Sequence, residues 1–359
     1  MSMFGESRFS EMDGKSIRQH APQGRMFKSA VALLGLLAGL SMGAGSAVAQ
    51  EVKLTFITGY PFSGPSGNLM YGAKKFIEVF NQRAKGKAQI HFVGGTEVVA
   101  PFDQLKALQN GQFDMGSMTS ILFRDLKDIY FIHYMSSAEQ VAVGKRGGRE
   151  LLQKITAESA KVTFLMMVSP GLPFYIWSNK PIATVADAKG VKIRGFAGVN
   201  EELQRQLGMV TVNVPSSDVL SSLRSGILDA TLRDSVSIGV LGEAEHAKNR
   251  TEARLCTCMA ELYISTATWN KLSGDVKKLM VSVAGEIEPD SLAFLEAWAA
   301  DNVKVNEKKF GMKVTKGTPQ LNDIVGRKIS GALMATAIKD SKYRNEIITT
   351  FGLAHYLKD

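Results

Sequence analysis

Between Lys189 and Asp234 the chain reads KGVKIRGFAGVNEELQRQLGMVTVNVPSSDVLSSLRSGILDATLRD, and this one stretch restricts the fold more than any other. A short apolar run ends on Arg194, an amphipathic helix follows, and 211–214 has the composition of a second strand. Pro215 opens another helix, Gly226 closes it, and a third strand runs to Arg233. Strand, helix, strand, helix, strand in that order predicts a parallel sheet with helices on its faces. In open sheets of this kind ligands bind outside the carboxyl ends of strands, and Arg194 and Arg233 each fall at such an end. A guanidinium there is a permanent cation whose planar donor fork suits a carboxylate.

The same alternation begins upstream. VKLTFIT at 52–58 predicts the first strand, 70–83 has apolar residues at helical spacing, and 89–93 predicts a second strand. The loop after the first strand, GYPFSGPSGN, is dense in turn formers and carries Tyr60, a candidate to stack over a ligand or to pack against its own loop. Gly94 and Gly95 follow the second strand and permit close backbone approach, but the third glycine of a dinucleotide fingerprint is missing. A helix over 101–110 and a strand over 113–118 come next. VTFLMMV at 162–168 reads as a buried strand, broken by Pro170, Gly171 and Pro173 before extended structure resumes over 174–178. Further on, 254–259 predicts a strand and 268–310 is nearly all helix former, with Pro289 as the expected interruption. A short strand over 312–316 and helices over 321–338 and 343–351 complete the chain.

Residues 1–49 have the pattern of a removable export signal: Arg18, Arg25 and Lys28, an apolar stretch over 30–40, and a small-residue cleavage site ending at Ala49. An uncleaved anchor is the alternative. The 43 Lys and Arg against 34 Asp and Glu give a formal charge of +9, which becomes +7 once this segment is removed. The excess is spread along the chain with no basic run, which argues against nucleic acid and favours attraction of small anions. About 310 remaining residues exceed what one core accommodates, so two lobes are expected. Cys256 and Cys258 stand two apart, and a bridge closing so small a ring would be strained; two reduced strand cysteines are the simpler reading. The histidines form no metal-ligand pair, and no nucleophile elbow or phosphate-binding loop is present, so no metal, cofactor or catalytic residue is expected.

The 189–234 stretch resembles the substrate-binding proteins of tripartite ATP-independent periplasmic (TRAP) transporters, the DctP type named for C4-dicarboxylates. The resemblance rests on Lys189 to Arg194, Leu207 and Gly208, Ser216 to Leu223 and Gly226 to Ala230, with Gly94, Gly95, QLKALQNGQFD at 104–114 and SNKPI at 178–182 in the expected order. It implies an α/β, type II-like periplasmic-binding-protein fold, two hinged lobes with a long helix behind both. Lobe I would hold 50–172 and 263–305, lobe II 173–262 and 306–359. It implies a periplasmic monomer that captures a small organic acid between the lobes and offers it to membrane permease subunits; a sensory or adaptor subunit and an extracytoplasmic enzyme are the alternatives. The family's binding arginine falls on Arg194. The 95–98 turn with Glu97, the 118–120 strand end with Thr119, and Tyr263 on the return crossing are placed near the cleft. Arg233 is either a second ligand cation or a partner of Asp234 or Asp229. Asn213 and Asp234 are further polar candidates, and Trp177 and Phe196 candidate apolar walls. GLPFYIW at 171–177 lacks the arginine that the family commonly carries after such a glycine, so a dicarboxylate ligand does not follow from the resemblance.

Overall fold

A computed structural model describes residues 50–357, apart from Pro61, Gly64, Gly171, Phe196, Ala197, Cys258 and Met259. The expected export signal lies outside the described residues. Two sheets organise the chain. The first contains β1 (Val52–Thr58), β2 (Ala88–Gly94), β3 (Met115–Met118), β4 (Val162–Met167) and β11 (Glu261–Ser265), in the order β2-β1-β3-β11-β4. β1 is parallel to β2 and β3, as βαβ units require, whereas β11 returns antiparallel between β3 and β4. The second contains β5 (Pro173–Ser178), β6 (Lys192–Arg194), β7 (Val210–Thr211), β8 (Ala230–Asp234), β9 (Asn249–Thr251) and β12 (Lys313–Thr315), ordered β12-β9-β5-β8-β6-β7, with β10 (Cys256–Thr257) beside β5.

The expected parallel unit is present: β6 pairs in parallel with both β7 and β8. β7 is shorter than 211–214 suggested, because the chain leaves the sheet before Asn213. The alternation in each strand sorts the core. On β1, Leu54 and Phe56 pack with Phe76 and Phe80 of the Tyr71–Arg83 helix, while Ile57 faces the opposite side with Leu108 and Ile132. On β8, Ala230 and Leu232 enter the larger core, while Thr231 and Arg233 take the other face.

The Gly274–Phe310 helix is the longest element, and it runs through Pro289 without the expected interruption. Pro289 and Gly285 both lie on the exposed side, so the carbonyl that loses its helical donor is open to water. The break falls instead before Gly274, where Ser273 Oγ accepts a hydrogen bond from the Val276 N–H (3.3 Å) and caps the helix. Leu295 of this helix packs with Leu172, between β4 and β5, and Val236, just after β8, so it touches the chain beside both sheets. Asn306 Nδ2 donates to the Ser235 carbonyl at 3.3 Å near its far end.

Candidate functional site

The cationic corner expected from the sequence forms on one face of the second sheet. Arg194 at the end of β6 pairs in register with Thr231 of β8, and Thr231 pairs with Trp177 of β5. Cross-strand partners and residues two apart share a face, so Arg194, Thr231, Arg233, Trp177 and Tyr175 all project to the same side. Arg194 is half-buried. Burial and then the neighbouring charge of Arg233 work against its cationic form, and Glu243 partly offsets them. An anion at this corner would relieve both penalties.

Arg233 is 7% exposed and held through two of its nitrogens. Its Nε donates to both oxygens of Glu243 (3.1 and 2.8 Å), and its Nη2 donates to Glu243 Oε1 (2.7 Å) and to Ser216 Oγ (3.0 Å). Its carboxylate partner is therefore neither Asp234 nor Asp229. Asp234, the next residue on the strand, points to the other face, where its Oδ1 accepts the Val236 and Ser237 N–H groups and caps the Ser237–Val240 turn. Asp229 accepts the Lys192 N–H. Sequence reasoning missed Glu243: in LGEAEHAK nothing separates it from Glu245, yet the fold buries the first and exposes the second.

Trp177 is 1% exposed, sits among Val219, Leu223 and Ala244, and donates its Nε1–H to the Arg233 carbonyl at 3.0 Å. It supports the strand that carries Arg233 from inside the core. Asn213 is exposed just past β7. Phe196 lies outside the described residues.

On the first sheet, Tyr60 and Thr119 come together at the ends of β1 and β3, with their hydroxyl oxygens 3.4 Å apart. Glu97 folds back so that Oε1 accepts the Gly95 N–H (2.7 Å), and this bond and its own amide hold the exposed carboxyl below its usual range. Tyr263 is fully buried in β11 rather than at a surface; its hydroxyl donates to Glu261 Oε2 at 3.4 Å.

A second group was not anticipated. Ser120 Oγ lies 2.8 Å from His133 Nε2 and 3.1 Å from Glu261 Oε1, and Glu261 also accepts the Ser120 N–H at 2.8 Å. It resembles a serine–histidine–carboxylate triad only in composition. Serine and glutamate meet the same imidazole nitrogen, so the carboxyl cannot orient the ring from its far side, and all three residues are buried. Desolvation lowers His133 to about 3 and raises Glu261 to about 8, so both are neutral near pH 7 and their 3.4 Å contact is not an ion pair.

Two surface hollows of about 260 and 590 Å³ open beside the Arg344–Phe351 helix, next to Glu139 and Arg146 and next to Lys154 and Glu346; neither includes a predicted site residue. Among the described residues no three His, Cys, Asp or Glu side chains gather as metal ligands, and no helix is long and apolar enough to cross a membrane.

Solved structures share this architecture. A TRAP periplasmic solute-binding protein of Desulfovibrio salexigens with bound orotic acid superposes with a TM-score of 0.68 at 17% identity, over 85% of this chain and 100% of that one. An extracytoplasmic solute receptor of Bordetella pertussis binding pyroglutamic acid gives 0.65 at 16%, over 84% and 99%. A solute-binding protein of Albidiferax ferrireducens is 30% identical over 173 residues, a match spanning about half the length of each, 47% of this chain and 49% of the relative. Residues 63–324 match the model of the DctP family, and the chain accordingly belongs to the bacterial extracellular solute-binding proteins of family 7.

Proposed function

We propose that this chain is the extracytoplasmic receptor of a TRAP transporter, which binds a small organic acid through Arg194 and presents it to a membrane permease. The observation that carries the reading is the cationic corner on the second sheet. Arg194 stands at a strand's carboxyl end, half-buried, beside a second guanidinium, so it gains by meeting a carboxylate. Orotic acid and pyroglutamic acid, bound by the two solved proteins of like fold, are both carboxylates. Tyr60, Thr119 and Glu97 at the ends of the first sheet's strands would meet the remainder of the ligand, with Asn213 at the rim of the second. The lobes are assigned as 50–172 with 263–305 and 173–262 with 306–359. Contacts from both would favour a closed form by an amount equal to the ligand's differential affinity for it. Export to the periplasm with cleavage after Ala49, a monomeric state and permease partners belong to the same reading, and no catalytic step is assigned.

Thermal denaturation of the mature protein against a panel of organic acids tests it, since a ligand of the folded state alone raises the melting temperature. One or more carboxylates should raise it, and Arg194→Ala should fold yet lose that response, as loss of a partner from a desolvated charge pair is worth roughly 2–5 kcal/mol of binding. A response confined to neutral sugars or amines, or one that survives Arg194→Ala, defeats the assignment.

A further inference from the structure

We propose that Arg250, stacked in the corner between Tyr175 and Trp177, is a second anion-binding point on the second sheet and takes a planar carboxylate in its own right. The proposal is independent of the carboxylate-binding reading of Arg194. Arg250 is the central residue of β9 and pairs in register with Trp177, so Arg250, Trp177, Thr231 and Arg194 follow one another in one row across the sheet. The two arginines are three strand spacings apart, roughly 14 Å at about 4.8 Å each. Trp177 and Thr231 between them are 1% and 0% exposed, so a small acid held at one end of the row does not reach the other. The Tyr175 and Trp177 rings meet edge to face, with centroids 6.5 Å apart and planes at 83°. Into that angle the Arg250 guanidinium carbon is set 3.9 Å from the Tyr175 centroid and 5.9 Å from that of Trp177. Trp177 is itself fixed by its bond to the Arg233 carbonyl, so the corner is built before any ligand arrives. The rings cover one face of the guanidinium and leave its edge, along which the five N–H donors point. Among the described residues none of those donors makes a hydrogen bond or ion pair, and neither does the Tyr175 hydroxyl. The carboxylates adjoining the corner are engaged elsewhere: Glu243 holds Arg233, the register partner of Tyr175, and Glu252 accepts from Asn322 Nδ2 at 2.8 Å. A guanidinium pinned flat, partly shielded from water and open along its donor edge is matched by a flat oxyanion that can accept two parallel bonds.

The test reads tryptophan fluorescence, since an anion that draws on the guanidinium changes the surroundings of Trp177. Acetate, benzoate and, as a tetrahedral comparison, inorganic phosphate are titrated at constant ionic strength into wild type and Arg194→Ala, and into Arg194→Ala combined with Arg250→Gln or with Arg250→Lys. One cation without an enclosing wall predicts weak binding, on the order of 1 mM. Wild type and Arg194→Ala should both give a saturable response to the two carboxylates. Arg250→Gln should abolish it. Arg250→Lys keeps the charge but not the planar fork and should weaken it about tenfold; it also serves if the glutamine variant does not fold. No saturable response to either carboxylate, a response unchanged by Arg250→Gln, or a response to phosphate alone overturns the proposal, and none of these outcomes bears on Arg194. The clamp is told apart by concentration: a melting shift produced by micromolar acid requires Arg194 and should be the same in Arg250→Gln as in wild type, so failure of either site leaves the other standing.

Discussion

Glu261 lies wholly inside the first sheet, and its proton sets how the fold responds to alkali. Burial raises its carboxyl from 4.5 to about 8, so between those values the folded chain holds a proton that the unfolded chain releases, and stability falls as pH rises. His133 acts in the opposite sense. Burial lowers its imidazole from 6.5 to about 3, so across that window the unfolded chain binds a proton that the folded one refuses, and stability rises with pH. Each slope is about 1.4 kcal/mol per pH unit where it acts alone. They cancel between 4.5 and 6.5, so stability should be flat there, fall toward acid below, and lose about 2 kcal/mol between 6.5 and 8. Glu261→Gln keeps an acceptor for the Ser120 N–H and should abolish the alkaline decline. Urea midpoints at pH 6 and 8 check this; an equal decline in the variant would mean the carboxyl is already ionised. None of this was legible beforehand, because Ser120, His133 and Glu261 are brought together across 13 and 141 residues of sequence, and no local period encodes such a meeting. Arg194 was legible, because its place at a strand end follows from neighbours within a few residues.

At the scale of elements, the strands whose apolar residues alternate or run unbroken were readable, and those without such residues were not. β1 and β4 announce themselves by composition, whereas β9, Asn-Arg-Thr, is a three-residue polar strand visible only through its pairing with β5 and β12. The long helix was readable in extent but not in its anchoring. Glu288, beside Pro289, takes Arg149 Nη2 at 2.6 Å on one oxygen and the Met167 N–H at 2.9 Å on the other, while Arg149 also donates to the Leu165 carbonyl. Both side chains are buried, so this charged link ties the helix to β4 and to the Gly148–Ala160 helix. Removing one member strands the other, and Arg149→Ala should destabilise the fold by about 3–5 kcal/mol. Arg149→Met with Glu288→Gln keeps the acceptor for Met167 and leaves no lone charge, so the double variant should lose less than the single one. Chemical denaturation of the two proteins compares them; a double variant as unstable as Arg149→Ala would show that packing around the guanidinium, not its charge, is what the helix requires.

For the whole molecule, the alternation of strands and helices implied an α/β sheet and the chain length implied two lobes, while the return of β11 between β3 and β4 ties a distant part of the chain back into the first sheet. What composition added was a field. The chain that remains after the proposed cleavage carries a formal +7 with no concentrated basic run, so its attraction for a small acid is long-range and diffuse. Salt should weaken this attraction strongly, since the screening length falls from about 30 Å at 0.01 M to about 3 Å at 1 M. The proposed contact with Arg194 would be made at short range from a half-buried position and would be screened much less. The two effects separate kinetically: raising ionic strength should slow association severalfold while dissociation changes little. Stopped-flow measurement of the acid that gives the largest melting shift, across a salt series, resolves the two rates. A salt effect carried by dissociation instead would place the governing charges in the bound contact itself, and would leave the surplus of lysine and arginine without a part in capture.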